Sequence, residues 1–328
     1  MKRLGFLLVA IVFCFALFAE DGEVLPEGVF RLTNVLSFNT YDKAFNDDSD
    51  KVDCDKIKLG SYSVGLEYGI IDWLSCGIQW GPAWNFYSDV EVNGAPDQKV
   101  KVAPIGGWFA GLKFQFVGEQ GAFMQSENMR FAVTGGAFAP APYSLKDQSK
   151  NAAKGKDFLV PCDSVAFMVG GRAHFDYIFP KFFDINFTTE FMRKLPVDSD
   201  KDQTAFENNM KAASGYFPHL KEVKEVDYGY HCKFELTPHF GLNVTDRVSF
   251  GVSTPVSYTI NSDVEWDGKK AFDGKNSFLV NLSSGVGLNF LDATLPFEVN
   301  LDFNMNVFGK NVTNDKFFSL TFTPYFAF

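Results

Sequence analysis

The chain has 328 residues, a formal net charge of −10, and a composition that is 46% hydrophobic and 16% aromatic. This apolar content excludes an intrinsically disordered chain, and the acidic balance without a basic patch argues against nucleic-acid binding. The 38 phenylalanines favour a strand-rich fold, because large flat side chains suit the pleated surface of a sheet.

The N-terminus has the form of a secretory signal peptide. A basic start precedes the apolar run FLLVAIVFCFALFA, and Ala19 offers a small residue for cleavage before an acidic stretch. We therefore expect residues 1–19 to be a signal peptide and residues 20–328 to form one domain; a retained membrane anchor is the alternative. No later stretch reaches about 18 apolar residues, so the mature chain is either soluble outside the cytoplasm or crosses a bilayer as strands.

Alternation of apolar and polar side chains predicts about twelve strands. A transmembrane barrel strand needs about 9 to 11 residues with every second side chain facing lipid. Residues 297–307 show the pattern clearly, since Phe, Val, Leu, Phe, Met and Val alternate there with Glu, Asn, Asp, Asn and Asn. The predicted strands lie near 28–41, 58–70, 73–90, 101–117, 129–143, 163–178, 182–195, 227–242, 247–261, 276–290, 295–309 and 315–328. Their even number is typical of bacterial single-chain barrels.

The connections between these strands alternate in length. Tight turns are predicted near 71–72, 180–181, 245–246 and 292–293. Long polar stretches are predicted near 42–57, 91–100, 144–162, 196–226 and 262–275, and the connection at 118–128 is intermediate. This segregation predicts an all-β protein, a closed transmembrane antiparallel β-barrel of about 12 strands with short periplasmic turns and long extracellular loops. A soluble secreted β-sandwich, which also alternates, is the competing interpretation.

The final segment, TFTPYFAF, places Phe322, Pro324, Phe326 and Phe328 on one apolar face. Together with the signal peptide and the twelve strands, it resembles the outer-membrane β-barrel proteins of diderm bacteria. The resemblance implies that Phe322, Phe326 and Phe328 form the signal read by the barrel-assembly machinery, and that this machinery and outer-membrane lipid are partners. Pro324 departs from an ideal terminal strand, because it removes a backbone donor.

The hairpin at 69–75 is weakly similar to hairpins of small-molecule uptake barrels. If the apolar faces meet lipid, the opposite faces line a lumen that carries charges of both signs. The candidate lumen residues are Arg31, Arg130, Arg172, His174, Asp176, Asp184, Glu190, Glu298 and Asp302. These charges either orient a small polar solute in a hydrated pore or pair with one another and fill a narrow barrel. A barrel of about twelve strands favours a narrow passage over a wide pore.

These observations predict an outer-membrane channel for passive, selective passage of a small solute. The alternative is a structural or adhesive surface barrel with a closed lumen, which acts through its extracellular loops. We expect no enzyme, because the chain has no Gly-x-Ser-x-Gly elbow and its inward histidines do not suit a lipase on the outer wall. We also expect no cofactor and no metal site, because no zinc-binding spacing or phosphate-binding loop occurs.

Two other features remain open. Cys54 and Cys162 lie in or beside predicted extracellular loops, where an oxidising compartment permits a disulfide; unpaired surface thiols are the alternative. The acidic run Asn46–Asp55 has oxygen ligands suited to Ca²⁺ but lacks the glycine and terminal glutamate of an EF-hand loop, so a solvated loop is the preferred interpretation.

Overall fold

The computed structural model describes residues 22–92, 95–102, 104–141, 157–159, 166–180, 182–198, 225–290 and 293–327. Twelve long strands form its main sheet. They are β1 (Val29–Phe45), β2 (Lys51–Ile71), β3 (Leu74–Val92), β4 (Trp108–Gly118), β5 (Met129–Ala139), β6 (Met168–Ile178), β7 (Phe183–Lys194), β8 (Tyr230–Thr245), β9 in two halves (Val248–Ser253 and Val256–Asn261), β10 (Ser277–Phe290), β11 (Phe297–Lys310) and β12 (Lys316–Ala327). In the described part of the chain, no helix is long and apolar enough to cross a membrane.

Each strand pairs antiparallel with the next, and β12 pairs with β1. The closing register places Phe38 opposite Phe318 and Phe30 opposite Phe326. The sheet is therefore a closed 12-stranded antiparallel β-barrel, as the alternation predicts. Closure leaves no open edge, so each long strand has a neighbouring strand on both sides.

The two ends of the barrel differ in their connections. At one end, called here the turn end, short links join β2 to β3, β6 to β7, β8 to β9 and β10 to β11. The opposite end, called here the loop end, carries most of the longer connections. It also carries a small antiparallel sheet formed by Val197–Asp198, Glu225–Asp227, Val264–Trp266 and Lys269–Phe272.

The outer and inner surfaces have opposite chemistry. Large apolar side chains are exposed on the outside, among them Phe38, Leu66, Ile78, Leu112, Phe187, Phe234, Leu301, Phe303, Phe318 and Phe322. The buried side chains of the interior are polar or charged to an unusual degree, and include Glu67, Gln79, Lys113, Gln115, His174, Asp176 and Glu190. An apolar outer surface is stable when it contacts an apolar medium such as lipid. The distribution therefore suits a barrel with lipid outside and water or ion pairs inside.

The prediction of a long polar stretch at 42–57 is wrong. β1 and β2 continue through most of it and are joined by a tight turn at 46–50, where the Asn46 Oδ1 atom accepts hydrogen bonds from the amides of Asp48 and Asp50, both at 2.9 Å. The outward apolar side chains of the barrel form an apolar outer belt. Above this belt, the outer face of a strand contacts water and therefore carries charged side chains. There Lys43 in β1 pairs with Asp53 in β2 at 3.6 Å. The acidic run is thus a turn followed by a strand.

One further connection contains regular structure. The polar stretch predicted at 91–100 holds the end of β3 and a short strand, Ala95–Val102.

β9 is interrupted at Thr254 and Pro255, because proline has no amide to donate to the ladder. The Thr254 amide donates instead to the carbonyl oxygen of Pro238 in β8, at 3.2 Å.

Candidate functional site

The lumen wall formed by β1 to β3 carries a buried ion pair. The Arg31 guanidinium donates to the Glu67 carboxylate, and the Ser75 hydroxyl donates to the other carboxylate oxygen at 2.7 Å. Glu67 is almost fully buried, so a lone charge there would be costly, and its two partners compensate the carboxylate. Arg31 therefore holds an internal pair in place.

A second buried network joins β6, β7 and β8. Glu190 accepts a hydrogen bond from the Nε atom of Arg172 and lies 2.8 Å from the Nε2 atom of His231. The Glu190 side chain is only 7% exposed. A cavity of about 20 Å³ adjoins this network and is lined by Gln79, Phe109, Thr134, Gly171, Arg172, His174, Glu190 and Met192. Such a volume holds one water molecule, so the wall is closely packed on this side.

An apolar cluster lies above this network, towards the loop end. The inward side chains of Phe109, Phe138, Met168 and Met192 pack together there and are buried. Glycines on the same wall make room for them; a Cβ atom on Gly136 would lie 2.4 Å from the Phe109 ring. The interior of β4 to β7 is thus filled by side chains.

An N-terminal segment, residues 22–28, enters the lumen at the turn end. The amide of Gly22 donates to Asp176 in β6 at 2.7 Å, and the Gln115 side chain in β4 donates to the Gly22 carbonyl oxygen at 2.6 Å. Val24 and Leu25 are buried along the way. The segment therefore reaches from the start of β1 to the opposing wall and narrows the turn end.

Glycines allow this crossing. Gly28 has a φ of 77° and donates its amide to the carbonyl oxygen of Gly69 at 2.9 Å, which turns the chain into β1. A Cβ atom at Gly69 would lie 2.0 Å from the carbonyl oxygen of Pro26, so only glycine permits this close approach. On the far side, Arg130 lies 3.9 Å from Glu23 and from Glu119.

The wall formed by β7 to β12 is more open. The His239 Nδ1 atom lies 2.9 Å from the Asp184 carboxylate, and these side chains are 40% and 36% exposed, in contrast to the buried Glu190. Small residues surround them: Gly251 approaches His239, and Gly285 lies beside Asp302. The polar side chains of this wall are therefore more exposed than those around Glu190.

The predicted lumen residues fall into three groups. Arg31, Arg172, His174 and Glu190 belong to packed walls, where His174 is 3.2 Å from the Thr188 hydroxyl. Arg130 and Asp176 hold the N-terminal segment. Asp184, Glu298 and Asp302 lie on the open wall, where the Tyr325 hydroxyl donates to Glu298 at 3.0 Å. The structure thus separates residues that the sequence could only place together on one face.

The other predicted site residues lie elsewhere. Phe322 and Phe326 are exposed on the outer face of β12, and Phe328 lies outside the described residues. Cys54 is buried within β2, and its thiol contacts the carbonyl oxygen of Asp55 at 3.3 Å. Cys162 lies outside the described residues, so a disulfide between the two cysteines stays a prediction. Over the described ranges, no group of three or more His, Cys, Asp and Glu side chains is placed to hold a metal ion.

Sequence reasoning missed the N-terminal segment as a lumen element. The stretch from Gly22 to Gly28 contains two glycines and a proline, and its apolar and polar residues do not alternate. This pattern indicates that the stretch precedes the first strand. Gln115 was also not among the candidate lumen residues, although its side chain faces inward and donates to the carbonyl oxygen of Gly22. Such contacts across the barrel leave no local mark in a sequence.

No protein-family model matches the chain, and no curated protein matches it in sequence. Among solved structures, the chain is similar to the COG4313 outer membrane channel from Pseudomonas putida F1, with a TM-score of 0.63 and 12% identity over 93% of this chain and 98% of that chain. The chain has the fold of an outer-membrane β-barrel.

Two other solved barrels are more distant. The NanC porin gives a TM-score of 0.39 and 4% identity, over 88% of this chain and 98% of that chain. The beta domain of the Bordetella autotransporter Brka gives 0.41 and 10%, over 92% and 100%. The similarity to the Pseudomonas putida channel is one of fold.

Proposed function

We propose that the protein is an outer-membrane channel through which a small polar solute passes passively. The observation that supports this proposal is the pairing of an apolar outer belt with a partly open polar wall inside a closed barrel. The belt suits a bilayer, and the exposed Asp184 and His239 side chains suit a hydrated path. Secretion through the signal peptide at 1–19, assembly by the barrel-assembly machinery and residence in outer-membrane lipid belong to the same proposal.

The path follows the wall of β7 to β12 and is narrow. Side chains of the opposite wall fill their half of the interior, and the N-terminal segment occupies part of the turn end. A solute that takes this path passes Asp184, Glu298 and Asp302. Charges placed along a restricted path select among solutes, so we expect selective passage of a small molecule.

Single-channel conductance of the refolded mature chain in planar bilayers tests the proposal. We expect discrete openings, and we expect Asp302→Asn to change their size because Asp302 lies on the open wall. A chain that begins at Pro26, and so lacks most of the N-terminal segment, should give larger openings. The matched control is Asp48→Asn, in the exposed turn at 46–50, which should leave the conductance unchanged. A barrel that folds and inserts but stays silent with and without residues 20–25 would refute a channel.

A structural or adhesive surface barrel is the second candidate function. The observation in its favour is the filling of the lumen by the buried network around Glu190 and by the apolar cluster around Phe109. The small sheet at the loop end would then supply the contacts with other molecules. This role would be established by a barrel that does not conduct but binds other molecules through this sheet. Its binding should be lost when Lys269–Phe272 is replaced by a Gly/Ser linker.

A further inference from the structure

The Asp302 carboxylate stands without a partner on the open wall. Within the described ranges it forms no hydrogen bond and no ion pair, and its side chain is only partly buried. The other inward acid of β11 differs, because Glu298 accepts a hydrogen bond from the Tyr325 hydroxyl at 3.0 Å. β9 and β10 contain no lysine or arginine, and those of β11 and β12 are Lys310 and Lys316 at the loop end. None of these four strands therefore supplies a cation beside Asp302.

The cations of the flanking strands are engaged elsewhere. The Lys233 ammonium in β8 lies 2.7 Å from Glu235, and the Arg31 guanidinium in β1 donates to Glu67. Arg247, at the turn end, lies over the Phe290 ring at 5.8 Å from its centre. The wall around Asp302 is therefore negatively charged.

A second open acceptor is the Nε2 atom of His239. The Nδ1 atom of the same ring lies 2.9 Å from the Asp184 carboxylate. An ionised carboxylate only accepts hydrogen bonds, so Nδ1 carries the proton and Nε2 has the free lone pair in the neutral ring. Across the described part of the chain, Nε2 has no hydrogen-bond partner. Asp184 and neutral His239 together carry one negative charge and one open acceptor.

A row of inward-facing glycines lies between these two groups. Gly241 in β8, Gly251 in β9 and Gly285 in β10 are successive partners along the pairing, and Gly285 is opposite Asp302 in β11. Three neighbouring strands therefore present bare backbone to the lumen at this level. The row and the two groups beside it are called here the glycine recess.

The register limits the distance between the two open acceptors. A Cβ atom on Gly251 would lie 2.8 Å from the His239 Nε2 atom, and one on Gly285 would lie 2.3 Å from the Asp302 Oδ1 atom. Directly opposite residues hold their Cβ positions about 4.5 to 5.5 Å apart, so the two acceptor atoms are at most about 11 Å apart. His239 and Asp302 do not pair with each other. The gap between them has the dimensions of one small molecule.

Both ends of the glycine recess are acceptors with negative charge. Asp302 supplies a carboxylate at one end, and Asp184 supplies a charge behind the His239 ring at the other. Hydrogen bonds to ionised groups are stronger than neutral ones, so the complementary ligand is a cation that donates at both ends. The glycines between them leave room for an alkyl chain but offer no side chain that would hold a sugar ring.

We propose that the glycine recess binds a small organic cation with an ammonium group at each end, such as a linear diamine. One ammonium donates to Asp302, and the other donates to the His239 Nε2 atom, where Asp184 balances its charge. This inference names the solute class of the channel and so rests on the proposed function. Binding in the recess does not itself require conduction, so the two can be tested separately.

Isothermal titration calorimetry of the refolded barrel in detergent micelles measures binding. The probes are diaminobutane, butylamine and butanediol at low ionic strength. We expect saturable binding of the diamine, weaker binding of the monoamine and none of the diol. Asp302→Asn should weaken diamine binding by about tenfold or more, because a hydrogen bond to a charged group is lost. Gly285→Ala keeps every charge but displaces the Asp302 side chain, and should also weaken binding.

Asp48→Asn is the matched control, because it removes one exposed acid from the turn at 46–50 and should bind the diamine like the wild type. If Asp302→Asn fails to fold, Gly285→Ala and Asp48→Asn decide the question. The proposal is overturned if the diol binds as well as the diamine, or if Asp48→Asn weakens binding as much as Asp302→Asn.

Conductance in planar bilayers separates this inference from the proposed function. Diaminobutane should reduce the wild-type openings in a saturable way, and the reduction should be smaller in Asp302→Asn. A barrel that binds the diamine but never conducts supports the recess and refutes the channel. A barrel that conducts, and neither binds the diamine nor is blocked by it, supports the channel and overturns the recess.

Discussion

The side chain of Asn34 compensates for the amide that Pro324 lacks. The closing ladder runs from Arg31 opposite Tyr325 to Asn34 opposite Phe322, and no pair forms between them. The Tyr325 amide points to β11, where it donates to the carbonyl oxygen of Pro296 at 2.8 Å, so the backbone of its neighbour Pro324 faces β1. With no amide there, the carbonyl oxygen of Leu32 loses its donor.

The Asn34 amide takes that place at the seam. It lies 3.2 Å from the carbonyl oxygen of Phe322 and 3.5 Å from that of Leu32, and the Tyr62 hydroxyl holds it by donating to its Oδ1 atom at 2.8 Å. Asn34 thus occupies an outward position between Leu32 and Leu36, where an apolar residue would otherwise be expected.

A double-mutant cycle tests this relationship. Asn34→Leu should lower the free energy of unfolding by about 1 to 2 kcal/mol in the wild-type background, because a backbone carbonyl in lipid loses its donor. In a Pro324→Ala background, where the ladder amide is restored, the same change should be neutral or stabilising. The measurement is denaturant unfolding in lipid vesicles, with Tyr62→Phe as a milder change. Additive effects of the two substitutions would refute the compensation.

Adjacent residues of β11 should respond oppositely to a charge. Phe303 is exposed on the outer face, and Asn304 lies inside. Phe303→Arg should lower barrel stability by about 2 to 4 kcal/mol, because it places a cation near the middle of the bilayer. Asn304→Arg should cost far less. Unfolding of both variants in the same vesicles checks this, and equal losses would contradict the assignment of faces.

The two kinds of lumen residue should separate by phenotype. Arg172→Met leaves the Glu190 carboxylate buried without its guanidinium partner and should lower stability by about 3 to 5 kcal/mol. Asp302→Asn lies on the open wall and should change conductance with little change in stability. Unfolding and single-channel measurements on both variants decide the matter. A stable Arg172→Met barrel with altered conductance would place Arg172 on the path instead.

The small sheet at the loop end should loosen in acid. Arg193 donates two hydrogen bonds to Asp227, which hold the pKa of that carboxyl below its usual range. Because the pKa of Asp227 is lower in the folded protein than in the unfolded chain, its ionised form stabilises the fold at pH values above the ordinary pKa. That stabilisation is lost as the pH falls through the pKa of the folded state. Hydrogen exchange in Glu225–Asp227 should therefore accelerate, relative to amides of β11, below about pH 4.

A matched variant checks the cause of this acid effect. Asp227→Asn should produce the same loosening at pH 7, and its exchange should no longer respond to acid at these amides. If the small sheet loosens in acid to the same extent in Asp227→Asn and in the wild type, the pair with Arg193 is not responsible.

The alternation of apolar and polar side chains predicted most of the fold. Lipid and water face opposite sides of each strand, so the chemistry of neighbours such as Phe303 and Asn304 is dictated locally, and the twelve strands were predictable. The same logic failed beyond the belt. There Lys43 and Asp53 lie on the outer face of a strand in water, and their polarity is indistinguishable from that of a loop.

The internal arrangement of the lumen was less predictable. Parity shows that Asp176 and Asp184 face inward, but it does not show that one holds Gly22 while the other remains open to solvent. The contact between Gly22 and Asp176 joins residues 154 positions apart and depends on barrel closure.

The first three strands give the barrel an uneven height. β2 has 21 residues and β1 has 17, whereas β4, β5 and β6 have 11 each. At the loop end, Trp108, the first residue of β4, is opposite Trp80 in β3, which is opposite Val64 in β2. β2 therefore continues through residues 51–63 beyond that row, or about 40 Å along the strand at about 3.3 Å per residue. The first hairpin therefore forms a stiff ridge above the bilayer. A macromolecule too large to enter the barrel would still meet this ridge, so recognition there needs no contact with the interior.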